Sequence, residues 1–312
     1  MKIRRAVGGW SIVAGLYFVA LLWADSKTGV LRRLPELVPM LPVVVSATLA
    51  SIALRFARWH WLLRRAGYRV PAGRSLLAYV AGFAFTATPG KVGELLRVRY
   101  LVTAGVPASR VVGAFVYERL FDLAAVLLIA LPAAAEFHVF GVAASFVALV
   151  FAAVGVMAAR PRLGQRLVVT FRRAGMLRLA RAARAVTAGL AHIRLWATLP
   201  DMLISLVAGL GAWLVTSWSF VYLLASLGIV LTGFKALALF PVAMLAGAAS
   251  MLPGGLGSTE ATLVALLAAA GAALAPASLA AVGIRLATLW LATVLGMAAF
   301  AYLETQPQPS RR

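Results

Sequence analysis

The chain has 312 residues, 63% of them hydrophobic and 12% charged, with a mean hydropathy of +0.95, which lies outside the range of soluble globular domains. Its apolar stretches run to about 20 residues, the length a helix needs to cross roughly 30 Å of hydrocarbon, and barrel strands, shorter and alternating, are excluded. Thirty Lys and Arg oppose nine acids, giving +21; most of the basic residues lie between apolar segments, so they point to anionic headgroups and a positive-inside asymmetry and not to nucleic acid.

With no cysteine, disulfide and thiol chemistry are absent. His60, His138 and His192 are far apart and lack metal-ligand spacing, so neither a metal nor a cofactor is expected. The expected class is an all-α polytopic membrane protein forming a single transmembrane domain over residues 1–312.

In chain order, Lys2, Arg4 and Arg5 precede an apolar run from about 7 to 24. The run is long for a signal peptide and lacks a clean cleavage site before Asp25, so a retained first helix is expected. The second span covers about 38 to 63 and runs into Arg64, Arg65, Arg69 and Arg74. Trp59 and Trp61, beside Arg58 and Arg64, have the pattern of an interface anchor. An arm from about 75 to 88 then meets ATPGKVGELLR, residues 87–97, where Pro89, Gly90 and Gly93 interrupt the helix. The arm is too short to cross comfortably, which predicts a re-entrant hairpin.

Spans at about 110 to 133 and 138 to 158 follow, the first carrying Glu118, Arg119 and Asp122. The next segment, Arg160 to Arg194, holds nine arginines and no acid, mixed with Leu163, Leu167, Phe171, Leu177 and Leu179. That mixture suits either a helix lying on an anionic inner leaflet or a solvated connector. The basic connector, about 159 to 200, joins a first half of about 38 to 135 to a second half of about 201 to 302. A span at about 201 to 228 leads to arms at about 234 to 251 and 258 to 273 flanking MLPGGLGSTE, residues 251–260. The abundant Gly and Ala of 243 to 275 allow close helix packing. A last span, about 276 to 302, carries Arg285.

The arginine-rich connector places itself and both termini in the cytoplasm. The two halves then run in opposite senses, each with one Pro-Gly-broken hairpin, an inverted-topology repeat. Pro253, Gly254, Gly255 and Gly257 form the second break, and ERLFDLAAVLL from Glu118 and IRLATLWLATVL from Ile284 follow the two breaks at similar distances. In a bilayer, backbone freed in this way is tolerated only where it is buried in protein or lines a wet cavity.

Glu94, Glu118, Asp122 and Glu260 fall in or beside apolar segments. An intramembrane carboxylate costs roughly 2.5 to 3.5 kcal/mol on insertion scales and marks a candidate functional site. Glu118 and Asp122 share a helix face and need a cation, for which Arg97, Arg99, Arg119 and Arg285 are candidates. The same residues fit either an ion-pair cluster pinning the halves together or a polar path for a charged headgroup. Gly93 with Glu94, and Gly257 with Ser258, begin the returning arms, whose N–H groups suit a phosphate; Lys91 adds charge to the first. Ser258 equally fits an N-cap, and Glu260 a favourable first-turn acid.

TPGKVGELLR, the ERLFD pair, MLPGGLGSTE and the RLATLW helix together resemble the membrane region of lysylphosphatidylglycerol synthases, which recurs in stand-alone flippase-like proteins. The likeness runs from about Arg55 to Tyr302. It implies movement of lipid between leaflets of the cytoplasmic membrane; too few residues follow Tyr302 for the soluble synthase domain, so lipid synthesis is not implied. The expected function is a lipid translocase for an anionic phospholipid, an aminoacyl-lipid or a polyprenyl-phosphate-linked precursor, alongside a separate synthase or glycosyltransferase. Arg97, Arg119 or Arg285 would hold phosphate, and Glu94 or Glu260 an amine. No nucleotide-binding motif is present. No catalytic residue is assigned; the alternatives are an intramembrane transferase using Glu118 or Asp122 as base, and a non-transporting partner of a separate synthase.

Overall fold

The computed structural model describes residues 28–133, 138–231 and 234–306, with Gly15, Phe18, Val19, Leu22, Asp25 and Ser26 before them. The expected first span and the connection near residue 136 therefore lie largely outside the described residues. Every regular element among the described residues is helical. After a short turn at Val30–Arg33 and a tighter 3-10 stretch, Leu34–Met40, the main helices are α1 Leu41–Arg65, α2 Ala72–Gly82, α3 Arg97–Val102, α4 Ala108–Ala130 and α5 His138–Ala159. The connector forms α6 Pro161–Arg173 and α7 Leu177–Leu190. The second half comprises α8 Leu199–Ser226, α9 Phe234–Ala249, α10 Ser258–Ala269, α11 Leu274–Arg285 and α12 Leu291–Thr305.

Local chemistry sets these boundaries. Pro42 lies in the first turn of α1, where its missing N–H is no loss. The helix stops at Gly67, whose φ of 89° permits the closing bond from Tyr68 N–H to Leu63 O at 3.0 Å. At α8, Thr198 Oγ1 accepts from the N–H of Asp201 at 3.4 Å, with Pro200 and Asp201 in the first turn.

Three helical stretches, Val30–Arg65, Leu199–Ser226 and Leu274–Thr305, are long and apolar enough to cross a membrane. They leave large apolar side chains uncovered, among them Leu49, Val207, Trp218 and Val294, as lipid-facing helices do. α4 has the length to span but carries Arg110, Glu118, Arg119 and Asp122. The chain turns by 97° between the end of α5 and α6. On α6 and α7, Arg162, Arg166, Arg172, Arg173, Arg181 and Arg184 are exposed, while Ala180 and Leu190 are buried. α7 approaches α4 closely at Gly189 and Gly113, where an added Cβ on Gly113 would lie 2.7 Å from Gly189 O.

Packing between the halves is reciprocal. α1 lies along α8, α12 packs on α2, and α9 packs on α4. One apolar cluster gathers Phe220, Phe240, Leu263 and Ile284, and a second gathers Trp59, Tyr79, Leu101 and Phe300. At the first break, α2 tightens into a 3-10 turn at Phe83–Phe85, opens through Thr86–Thr88, and resumes as a 3-10 helix, Pro89–Leu96, before α3. At the second, α9 ends at Ala249 and a 3-10 turn, Pro253–Gly255, precedes α10. Each break also carries a non-glycine residue in the left-handed region, Lys91 and Met251, both with φ of 55°, conformations that persist only where surrounding structure enforces them.

Two sequence expectations need correction. The return arm of the first break is a 3-10 helix and not an α-helix N-terminus, because Pro89 and the strained Lys91 precede Gly93. Trp59 is not an interface anchor: it is fully buried, with its ring under the Arg97 guanidinium.

Candidate functional site

The two breaks meet in the interior. Gly254, with φ of 62°, lies so close to the first break that a Cβ would sit 3.1 Å from both Cα and Cβ of Ala87. Only glycine fits both the backbone angle and the approach. Gly93 is equally constrained, since a Cβ there would overlap Phe85 O and its Cβ. A cavity of about 120 Å³ opens beside this contact, bordered by Phe83 and Leu289, Phe240 and Met244, and the α1 and α8 hydroxyls of Ser51 and Thr216. Its charged lining consists of Arg55, Lys91, Arg119 and Arg285, with Glu94 as the single acid.

Behind the cavity is a buried ion network built by four segments. From α3, Arg97 reaches Glu94 Oε2 through Nη2 at 2.7 Å and Glu118 Oε2 through Nη1 at 3.2 Å. Its guanidinium lies 4.5 Å from the Trp59 ring and 4.6 Å from that of Tyr79, which stabilises a desolvated cation. From α1, Arg58 Nη2 donates to Asp122 Oδ1 at 2.6 Å and to Glu118 Oε1 at 3.4 Å, while Arg55 Nη1 donates to Asp122 Oδ2 at 2.6 Å. Arg119 folds back to Asp122 at 3.1 Å. Hydroxyl donors complete the set: Tyr79 to Glu118 Oε1 and Thr86 to Glu94 Oε1, both at 3.0 Å. Arg58, Glu94, Arg97 and Glu118 are at most 2% exposed, and charges at that depth survive only when paired.

The second break has a smaller counterpart. Arg285, 2% exposed, donates through Nε to Glu260 Oε1 at 2.8 Å and through Nη2 to Gly254 O at 2.7 Å. It thereby satisfies a carbonyl that the break removes from any helix. Glu260 also accepts from the Gly257 N–H at 2.9 Å, closing the first turn of α10. Directly after Arg285 the helix widens into a π-helical stretch, Leu286–Trp290, a feature frequent at functional sites.

The sequence-derived residues thus fall into three groups. Lys91, Glu94, Arg119, Gly254 and Arg285 line the cavity. Arg97, Glu118, Asp122 and Glu260 hold that lining in place through the bonds above. Ser258 does neither, and it is not an N-cap: Gly257 occupies that position, and Ser258 Oγ donates to Gly255 O at 3.1 Å. Of the cations proposed for the acid pair, Arg97 and Arg119 serve it, whereas Arg99 pairs with Glu304 at 2.8 Å and Arg285 with Glu260. Arg55 and Arg58 are the additions that sequence reasoning missed. With Ser51 they form a stripe spaced four and three residues apart on one face of an apolar helix, a polar face that marks them as inward-pointing.

All-helical architecture, lipid-facing apolar surface and a buried cation-rich cavity at paired helix breaks define a polytopic membrane protein. The chain belongs to the family described as the lysylphosphatidylglycerol synthase TM region, which matches residues 9–296. No curated protein matches it.

Proposed function

We propose that the chain is a lipid translocase, a flippase that moves a phosphate-containing lipid or lipid-linked precursor between the leaflets of the cytoplasmic membrane. One observation carries this reading: an interior cavity lies where the two helix breaks touch, and cations dominate its charged lining. A headgroup would occupy that cavity while its chains remain in the lipid. The reciprocal packing of α2 on α12 and α9 on α4 supports an inverted-topology repeat, in which the breaks are tips of re-entrant hairpins and Arg119 and Arg285 are quasi-equivalent. The outward arginines of α6 and α7 support a cytoplasmic connector and cytoplasmic termini. A separate synthase or glycosyltransferase would supply or consume the lipid.

Transport is favoured over transferase chemistry because Glu118 and Asp122 are each held by two or more guanidiniums. Both oxygens of each carboxylate are engaged, so neither is placed to take a proton from a substrate. The test is leaflet exchange of headgroup-labelled lipids in liposomes, comparing wild type with Glu94→Gln and Glu260→Gln. Exchange of one headgroup class that both variants lose is expected. Absence of exchange for every lipid by folded, inserted protein, or exchange indifferent to both substitutions, would overturn the proposal.

A further inference from the structure

The cavity walls carry an unbalanced charge. The cluster around it contains six cations, Arg55, Arg58, Lys91, Arg97, Arg119 and Arg285, against four acids, Glu94, Glu118, Asp122 and Glu260, leaving two positive charges. Buried charge without compensation costs several kcal/mol per ion even after relaxation, so the arrangement calls for an anion in the cavity.

Every acid is already engaged. Glu94 holds Arg97 and Thr86; Glu118 holds Arg58, Arg97 and Tyr79. Asp122 holds Arg55, Arg58 and Arg119; Glu260 holds Arg285 and the Gly257 N–H. None is left for an amine. The unused groups are donors. The Lys91 backbone N–H bonds Thr88 O, but its ammonium makes no hydrogen bond or ion pair with the described residues, and Arg119 Nε and Trp213 Nε1, both on cavity-lining residues, are buried without a hydrogen-bond partner. Trp213 is itself 8% exposed. Buried donors of this kind ordinarily find a partner.

We infer that the cavity is a site for a phosphate monoester dianion, presented by a membrane lipid and held by Lys91, Arg119, Arg55 and the Trp213 indole, and that it rejects aminoacylated headgroups. A monoester carries about −1.5 to −2 near pH 7 and three strong acceptor oxygens, matching two excess cations and several free donors. A phosphodiester brings one charge and leaves the second cation unanswered. A lysyl ester adds an ammonium to a cavity whose acids are all occupied. The inference takes the lipid source from the transport proposal, but binding requires no movement, so the two are separable.

The experiment uses the full chain in detergent, with binding read as the shift in thermal unfolding midpoint. The probes are phosphatidate, phosphatidylglycerol, lysylphosphatidylglycerol and inorganic phosphate, tested on wild type, Lys91→Gln and Lys91→Arg. With one unit of charge separating the headgroups inside a site of low effective dielectric, phosphatidate is expected to bind at least about tenfold tighter than phosphatidylglycerol, and lysylphosphatidylglycerol weakest. Lys91→Gln should reduce the phosphatidate preference about tenfold, and Lys91→Arg should restore it. The Lys91 ammonium has no hydrogen-bond partner to orphan, and Gln or Arg keeps the backbone bond to Thr88 O, so both variants are expected to fold.

Equal binding of phosphatidylglycerol or lysylphosphatidylglycerol, or indifference to Lys91→Gln, would overturn the assignment; inorganic phosphate binding as tightly as phosphatidate would overturn its lipid source. Selective binding without leaflet exchange would leave the site standing and remove the transport proposal. Exchange of lysylphosphatidylglycerol at the rate of phosphatidate would do the opposite.

Discussion

Arg97 is the residue on which the buried network turns, and Arg97→Met is the sharpest test of that reasoning. The substitution leaves Glu94 and Glu118 buried at 1% and 0% exposure, each deprived of its bond to the guanidinium. Removing one partner of a buried ion pair costs about 3–5 kcal/mol. Loss of stacking on Trp59 and Tyr79 adds as much as about 2 kcal/mol, and the desolvation cost of the guanidinium, which vanishes with it, subtracts a comparable amount. The net expectation is a loss of about 4 kcal/mol, a large fraction of the roughly 5–15 kcal/mol that holds most folds. Equilibrium unfolding in mixed micelles, followed by tryptophan fluorescence, measures it. Arg97→Lys should fall between the two, since one ammonium cannot bridge both carboxylates as the planar fork does. Adding Glu94→Gln to Arg97→Met should recover part of the loss, because one stranded charge is removed. A loss below about 1 kcal/mol for Arg97→Met would refute the claim that these acids depend on it.

Other perturbations follow from the same geometry. Gly254→Ala forces a Cβ into the left-handed region and against Ala87, and thermal unfolding should register at least about 1–2 kcal/mol of destabilisation. Gly93→Ala cannot be accommodated without moving Phe85, so size-exclusion profiles should show little monodisperse protein. Trp196→Phe loses the Nε1 bond to Leu62 O at 3.1 Å and deletes one of two fused rings from a fully buried site, for an expected cost of about 2–4 kcal/mol in the same unfolding assay. Arg99→Gln is the contrast: its pair with Glu304 is partly exposed and the Tyr100 hydroxyl still donates to that acid, so stability should change by less than about 1 kcal/mol.

Helix positions were legible because hydrophobic length and Pro-Gly punctuation are local. The expected arms at 234–251 and 258–273 correspond to Phe234–Ala249 and Ser258–Ala269, and the intramembrane acids were conspicuous as charges in apolar runs. What sequence could not resolve was orientation about a helix axis. Arg58 and Trp59 sit near Arg64 and Arg65 at the end of an apolar span, the pattern of a headgroup belt. In the fold both face inward, because α1 packs against α8 and α2 and Asp122 draws Arg55 and Arg58 to its face. The partners of Glu94, Glu118 and Asp122 come from segments 21 to 67 residues apart in the chain for all but the local bonds, distances over which no periodicity reports. The 3-10 course of Pro89–Leu96 was likewise hidden, since the strain at Lys91 is imposed by tertiary contacts and not by residue type.

A translocase requires the cavity between the two breaks to open in turn to both sides of the membrane. The natural chain has no cysteine, so Thr216→Cys, nearly isosteric at a cavity-lining position 7% exposed, gives a single reporter without background. Labelling would be measured in oriented proteoliposomes with a water-soluble, membrane-impermeant maleimide added to either face. Labelling from both faces is expected, slowed in each case by phosphatidate. Labelling from one face only, or from neither, would contradict it.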